Sequence, residues 1–118
     1  MTDQLTEAEE LCRKILDVLQ TPNSLPAEKN MDIGNKVRDL LARIIESRKK
    51  IMVRSPEGRV LSLEVLNNAS KTFKVASAFS KHGNDVEAAK EVTGQLSHLE
   101  DSIEKLEIYW KSFEYVTT

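Results

Sequence analysis

Two histidines, one cysteine and a knot of cations are the side chains with the chemistry to act in this chain. His98 falls on the polar side of its helix, where an imidazole would be open to solvent and able to accept a phosphoryl group. The residues that follow it, Leu99-Glu100-Asp101, bring two carboxylates that would repel that group. His82 falls in a turn and suits a helix C-terminus. Between His82 and His98 there is no H-x-x-x-H, C-x-x-C or E-x-x-H spacing, so neither a metal nor any other cofactor is expected. No glycine-rich phosphate loop, no G-x-S-x-G and no pair of inward carboxylates occurs. Cys12 lies on an apolar helix face and reads as a small buried hydrophobe. A lone cysteine cannot close an internal disulfide, which fits a reducing compartment. On this count the chain is not an enzyme, because an active site needs polar groups converging in a pocket.

The cations are Arg43, Arg48, Lys49, Lys50, Arg54 and Arg59, diluted by Glu46 and Glu57. They would contact nucleic-acid phosphates or an anionic membrane. They would equally complement Glu100, Asp101, Glu104, Glu107 and Glu114 further on. No aromatic is interleaved for base stacking, which disfavours nucleic acid. The net charge of -2 gives the chain as a whole no pull toward polyanions. The cations then serve best to steer an acidic partner, with Arg48, Lys49, Lys50, Arg54 and Arg59 in that role.

The elements that position these residues are helices. With 40% hydrophobic and 31% charged residues the chain can build a core, and seven Gly plus Pro leave few breakers. Its 118 residues fit one domain, 1–118. Four amphipathic segments are expected, at 6–20, 25–52, 56–82 and 85–116. In the first, Thr6-Glu7-Ala8-Glu9 reads as a capping box, and Leu5, Ala8, Leu11, Cys12, Ile15, Val18 and Leu19 form the apolar stripe. The second is capped by Ser24 and seamed by Met31, Gly34, Val37, Leu41, Ile44 and Ile51, with Ile33, Leu40 and Ile45 widening it. The third begins Ser55-Pro56-Glu57, with Ser55 as cap and Pro56 at the first helical position. Its inner face is Leu63, Leu66, Ala69, Phe73, Ala76 and Phe79, flanked by Val65, Thr72 and Val75. The fourth carries the longest register: Ala89, Val92, Leu96, Leu99, Ile103, Leu106, Trp110 and Phe113. Short connectors make neighbours antiparallel, so an up-down-up-down four-helix bundle is expected. Three long helices with a loosely docked first one is the alternative. The seams are expected to be free of ionisable side chains other than Cys12. No basic-then-apolar leader opens the chain and no run approaches a membrane span, so an intracellular place, cytoplasmic or nuclear, is expected.

An exposed histidine on a bundle of this length is similar to histidine phosphotransfer domains, and that resemblance implies signalling through His98. Two stretches bear likenesses of hairpin length. Ala76-Ser77-Ala78-Phe79 with Asp85-Val86-Glu87-Ala88-Ala89-Lys90-Glu91 is similar to the C-terminal bundle of iron–sulfur J-type co-chaperones. Asp32-Ile33-Gly34-Asn35-Lys36-Val37 with Trp110 is similar to the helical domain shared by steroid receptor RNA activator protein and an outer COPII coat subunit. Either resemblance implies a binding module.

The four segments are unequal, and the first is the shortest. In a simple up-down ring it would cover only the N-terminal half of the fourth. The uncovered half is where the polar side of that helix disappears. Ile108 and Tyr115 take outward positions, with Tyr109 and Val116 beside them. An apolar patch of that kind marks an interaction surface. The expected site is therefore Ile108, Tyr109, Trp110, Tyr115 and Val116, faced by Met52, Val53 and Leu61. A partner helix or a second copy would dock there, making the chain an adaptor, a small subunit of an assembly or an effector.

Overall fold

The computed structural model describes residues 3–19, 27–82 and 86–114. It is an all-α four-helix bundle: α1 Gln4–Leu19, α2 Ala27–Arg48, α3 Pro56–His82 and α4 Val86–Glu114. A single 3₁₀ turn, Ile51–Arg54, joins α2 to α3. The expected cap Ser24 lies outside the described residues, as does Asn84, whose Asn84-Asp85-Val86-Glu87 reads as the cap of the fourth segment.

α1 starts two residues earlier than its capping box implied. Asp3 is the cap: the Leu5 amide donates to its carboxylate at 3.4 Å, and the Glu7 amide to its carbonyl at 3.0 Å. A carboxylate there also suits the positive end of the helix dipole. α2 stops at Arg48, four residues short of its expected end. Its final amides bond three residues back, Lys49 to Glu46 and Lys50 to Ser47. Pro56 explains why no helix runs on through this corner. Its ring would strike the carbonyl four residues before it, that of Met52, and it has no amide to donate. Ser55, just before the proline, is held extended at φ -67°, ψ 162°.

The helices alternate in direction, as the short connectors require. Lys36 meets Glu100, Arg43 meets Glu107 and Ser47 meets Trp110, so α2 and α4 run the same way. Ser55 meets Tyr109 and Asn68 meets Gln95, so α3 runs against α4. α1 must run against α2. Glu9 reaches Arg48 at the far end of α2, and the eight chain steps from Leu19 to Ala27 span at most roughly 30 Å, too short for the parallel arrangement.

The order around the ring departs from the simple one. Among the described residues α1 lies beside α2 and α3, and α4 beside the same two, while α2 and α3 stand at one diagonal. The 3₁₀ turn crosses that diagonal and packs on α2, α3 and α4. α1 therefore does not flank α4 at all. Its first half is level with the Trp110 end of the bundle rather than with the start of α4. The expected uncovered half of α4 is closed by the last turn of α2, the 3₁₀ turn and the start of α3.

The core follows the anticipated seams of α1 and α4: Leu5, Ala8, Cys12, Ile15 and Leu19, then Val92, Leu96, Leu99, Ile103, Leu106 and Trp110. α3 is turned relative to its expected face. Val65 and Thr72 are fully buried and Leu63 is exposed. The buried arc runs Gly58, Ser62, Val65, Ala69, Thr72, Ala76 and Phe79. Its small and hydroxylated members let α3 approach two neighbours closely. Ser62 and Thr72 answer their own need for a partner by donating to the carbonyls of Gly58 and Asn68, each at 2.7 Å. In α2, Ile33 and Leu40 belong to the core while Met31 points out, and Ile51, expected on the same seam, is exposed on the 3₁₀ turn.

One ionisable side chain does enter a seam. Glu9 is buried between α1 and α2, accepting from Arg48 at 2.5 Å and from Arg13 at 2.9 Å. It lies near Cys12, whose thiol is pushed up to about 12 by burial and then by the Glu9 charge. The folded protein thus keeps the thiol protonated while the unfolded chain releases its proton above about pH 8.5. Cys12 supports folding fully below that value, and the support is lost as pH rises toward 12. At pH 8 we expect native Cys12 to react with iodoacetamide roughly a thousand-fold more slowly than in denaturant, following its depleted thiolate. Equal rates in the two states would contradict its burial.

Candidate functional site

The corner where α2 passes into α3 gathers most of the side chains expected to matter. Its local geometry is set by Ser55. The Ser55 hydroxyl accepts from the Gly58 amide at 3.1 Å, the N-cap bond read from the sequence, and donates to the Met52 carbonyl at 2.7 Å. Its remaining lone pair faces the Tyr109 hydroxyl at 2.5 Å. With one proton and two acceptor sites, Ser55 is satisfied when Tyr109 donates. That hub ties the 3₁₀ turn, α3 and α4 at one point.

The expected docking residues divide into three groups. Trp110 and Val53 are core, 5% and 4% exposed. The Trp110 indole N–H donates to Ser47 at 2.9 Å, and Lys50 Nζ sits 4.6 Å from the ring centre. They are closed off because α2 and the 3₁₀ turn reach α4 here, which a ring-ordered bundle would not allow. Met52, Leu61 and Tyr109 are half-buried, with Tyr109 also edge-on to Phe113 at 5.1 Å. Ile108 is 63% exposed, on the outward position its register assigned. Tyr115 and Val116 lie outside the described residues.

The cations divide as well. Arg48 is held by Glu9, and Lys49 and Lys50 approach Glu46 at 3.9 and 3.4 Å. Arg43 forms a fork on Glu107, reaching 2.5 Å, and also donates at 3.1 Å to Glu100 Oε2, the oxygen that Lys36 binds at 2.5 Å. Hydrogen bonding to Glu107 raises the affinity of the guanidinium for its proton above the usual value. The Lys36 bond holds the Glu100 carboxyl below its ordinary range. These charges fasten α2 to α4, the complementarity weighed above. Arg54 and Arg59 are exposed, and no ion pair engages them among the described residues.

What the sequence reading missed is the outer face of α3. Pro56, Val60 and Leu63 recur at spacings of four and three, and so share one stripe. Val60 is 61% exposed, and Ile51 at the same corner is 77% exposed. A shallow depression of about 400 Å³, lined by Pro56, Glu57, Val60 and Leu61, runs along it. The signal was present: read as inner face, Leu63 misaligns with Val65 and Thr72, and aligning the small residues instead turns Val60 and Leu63 outward. Helical register puts Arg59 on one edge of this row and Glu57 and Glu64 on the other, and Arg54, in the 3₁₀ turn, precedes the row in the chain.

Elsewhere the surface is plainer. His98 is exposed, and its flanks are Ser97, Leu99 and the exposed Asp101. The side chain of His82 lies outside what the structure describes. Among the described residues no three His, Cys, Asp or Glu are grouped to hold a metal. None of the described helices is long and apolar enough to cross a membrane. A second cleft of about 210 Å³ opens between α2 and α4 at the end away from the corner, lined by Asp32, Ile33, Lys36, Thr93, Leu96 and Ser97. No family model matches this chain, and comparisons with curated proteins and with solved structures return no match, so the hairpin-length likenesses carry no family with them.

Proposed function

We propose that the chain is a non-enzymatic protein-interaction module whose docking surface is the outer row of α3. One observation carries the reading: Ile51, Val60 and Leu63 are exposed apolar side chains at one corner, beside an apolar depression and two exposed cations that no ion pair engages among the described residues. Isolated apolar residues on a surface mean little, but a row with charged edges has the composition of an interface centre and rim. Val60 and Leu63 sit on α3, so a partner meets that part of the surface preformed. Compared with the site expected from the sequence, the surface keeps Leu61, Arg54 and Arg59 and moves from the end of α4 onto α3. Ile108 stands at the same end of the bundle, since its neighbour Tyr109 meets Ser55.

A photo-crosslinking residue placed at position 60, in the cell the chain comes from, is expected to give a discrete adduct. The same residue at position 90, also exposed but at the opposite end, is the control. Adducts of the same proteins at both positions, or none at 60, would overturn the reading.

A further inference from the structure

The docking row has edges of opposite sign, and this specifies the occupant. Resting on the reading above, we propose that the row takes an amphipathic helix whose two edges are oppositely charged. Its carboxylates meet Arg54 and Arg59. Its lysines or arginines meet Glu57 and Glu64. One apolar side chain enters the depression between Val60 and Leu61. Three considerations favour this occupant. The apolar stripe from Pro56 to Leu63 covers two turns, about 10 Å, which suits one crossing helix. A bilayer with anionic headgroups would be attracted along Arg59 and repelled along Glu57 and Glu64, and membrane-surface helices instead carry cations along their polar face. A second copy would present this stripe from within its own bundle. Three side chains from each side fall well below the roughly 800 Å² per partner of a stable pair. Among the described residues no ion pair engages Arg54 or Arg59, so none of those pairs must break on docking.

The test uses three synthetic 16-residue helical peptides with one leucine stripe in common. The first has glutamates along one edge and lysines along the other, the second glutamates on both, the third lysines on both. Binding to the full chain is read by fluorescence anisotropy. The mixed-edge peptide is expected to bind at least about five-fold more tightly than either uniform one. Its binding is expected to weaken with added salt and to fall at least about ten-fold in Val60→Glu. A chain carrying Arg54→Glu and Arg59→Glu should shift preference to the all-lysine peptide. If uniform peptides bind as tightly as the mixed one and Val60→Glu abolishes them all, the edge rule fails while the docking row stands. If no peptide binds, or Val60→Glu leaves binding unchanged, the docking row fails too. Binding to phosphatidylserine vesicles that Val60→Glu abolishes, or a doubled mass in light scattering that it halves, would replace the helix with a membrane or a second copy and overturn the proposal.

Discussion

Trp110→Ala is expected to cost about 3–5 kcal/mol of stability, the range for deleting a buried aromatic. The site has little means to collapse. Trp110 is wedged where the last turn of α2, the 3₁₀ turn and α4 meet, and its removal also leaves the buried Ser47 hydroxyl without the indole N–H it now accepts. Ser47→Ala isolates the second effect and should cost about 1 kcal/mol, the net worth of one such bond. Urea unfolding by circular dichroism measures both. The slope with urea should stay unchanged, because the same helices unfold. Trp110 is the chain's one tryptophan, so its fluorescence in Ser47→Ala reports directly on this contact. A loss below about 1 kcal/mol in Trp110→Ala would mean the end of α4 is not packed as described.

Gly58→Ala comes next. It is a change that raises helix propensity in a free helix by about 1 kcal/mol, yet it is expected to destabilise this protein by about 2–3 kcal/mol. A β-carbon on Gly58 would lie 2.4 Å from the Met52 carbonyl oxygen and 2.6 Å from the Val53 α-carbon. Both are backbone atoms, and the 3₁₀ turn that contains them is pinned by the Ser55 hub. It cannot yield without breaking the cap bond. Gly94→Ala is the matching control. A β-carbon there meets nothing within 4 Å, so the propensity gain should appear unopposed, about 1 kcal/mol of added stability. Opposite signs for the two substitutions are the expected result. A neutral or stabilising Gly58→Ala would remove the close crossing from the picture.

Much of the helix arrangement was legible because burial writes itself into spacing. The Val92-to-Trp110 register and the Leu5-to-Leu19 stripe are long, apolar and uninterrupted, so the faces they bury follow from period alone. α3 was legible only in part, for a reason its residues show. Where a helix touches two neighbours closely, the centre of its buried arc is marked by smallness, as at Gly58, Ser62 and Thr72. A reading that follows hydrophobicity slides toward Leu63. The order around the ring was not legible at all. Seven residues between α2 and α3 look like a tight hairpin, and nothing in their composition says that they cross a diagonal. The clue is a glycine in the first turn of α3, beneath a carbonyl it must accommodate. The candidate site moved for the same reason: α2 and the 3₁₀ turn close over Trp110, and Val60 and Leu63 of α3 are exposed instead, with Ile51 of the turn.

The partners of α4 on α2 come from 57 to 64 residues earlier in the chain. On a ribosome, Lys36 and Arg43 emerge long before Glu100 and Glu107 exist to receive them. α1 can lie against α2 in that interval, but the charged side of α2 waits in water. Being charged, it can wait without aggregating, which an apolar seam of the same length could not do. The polar fastening of α2 to α4 thus fits a nascent chain that completes its assembly only when its final helix is synthesised.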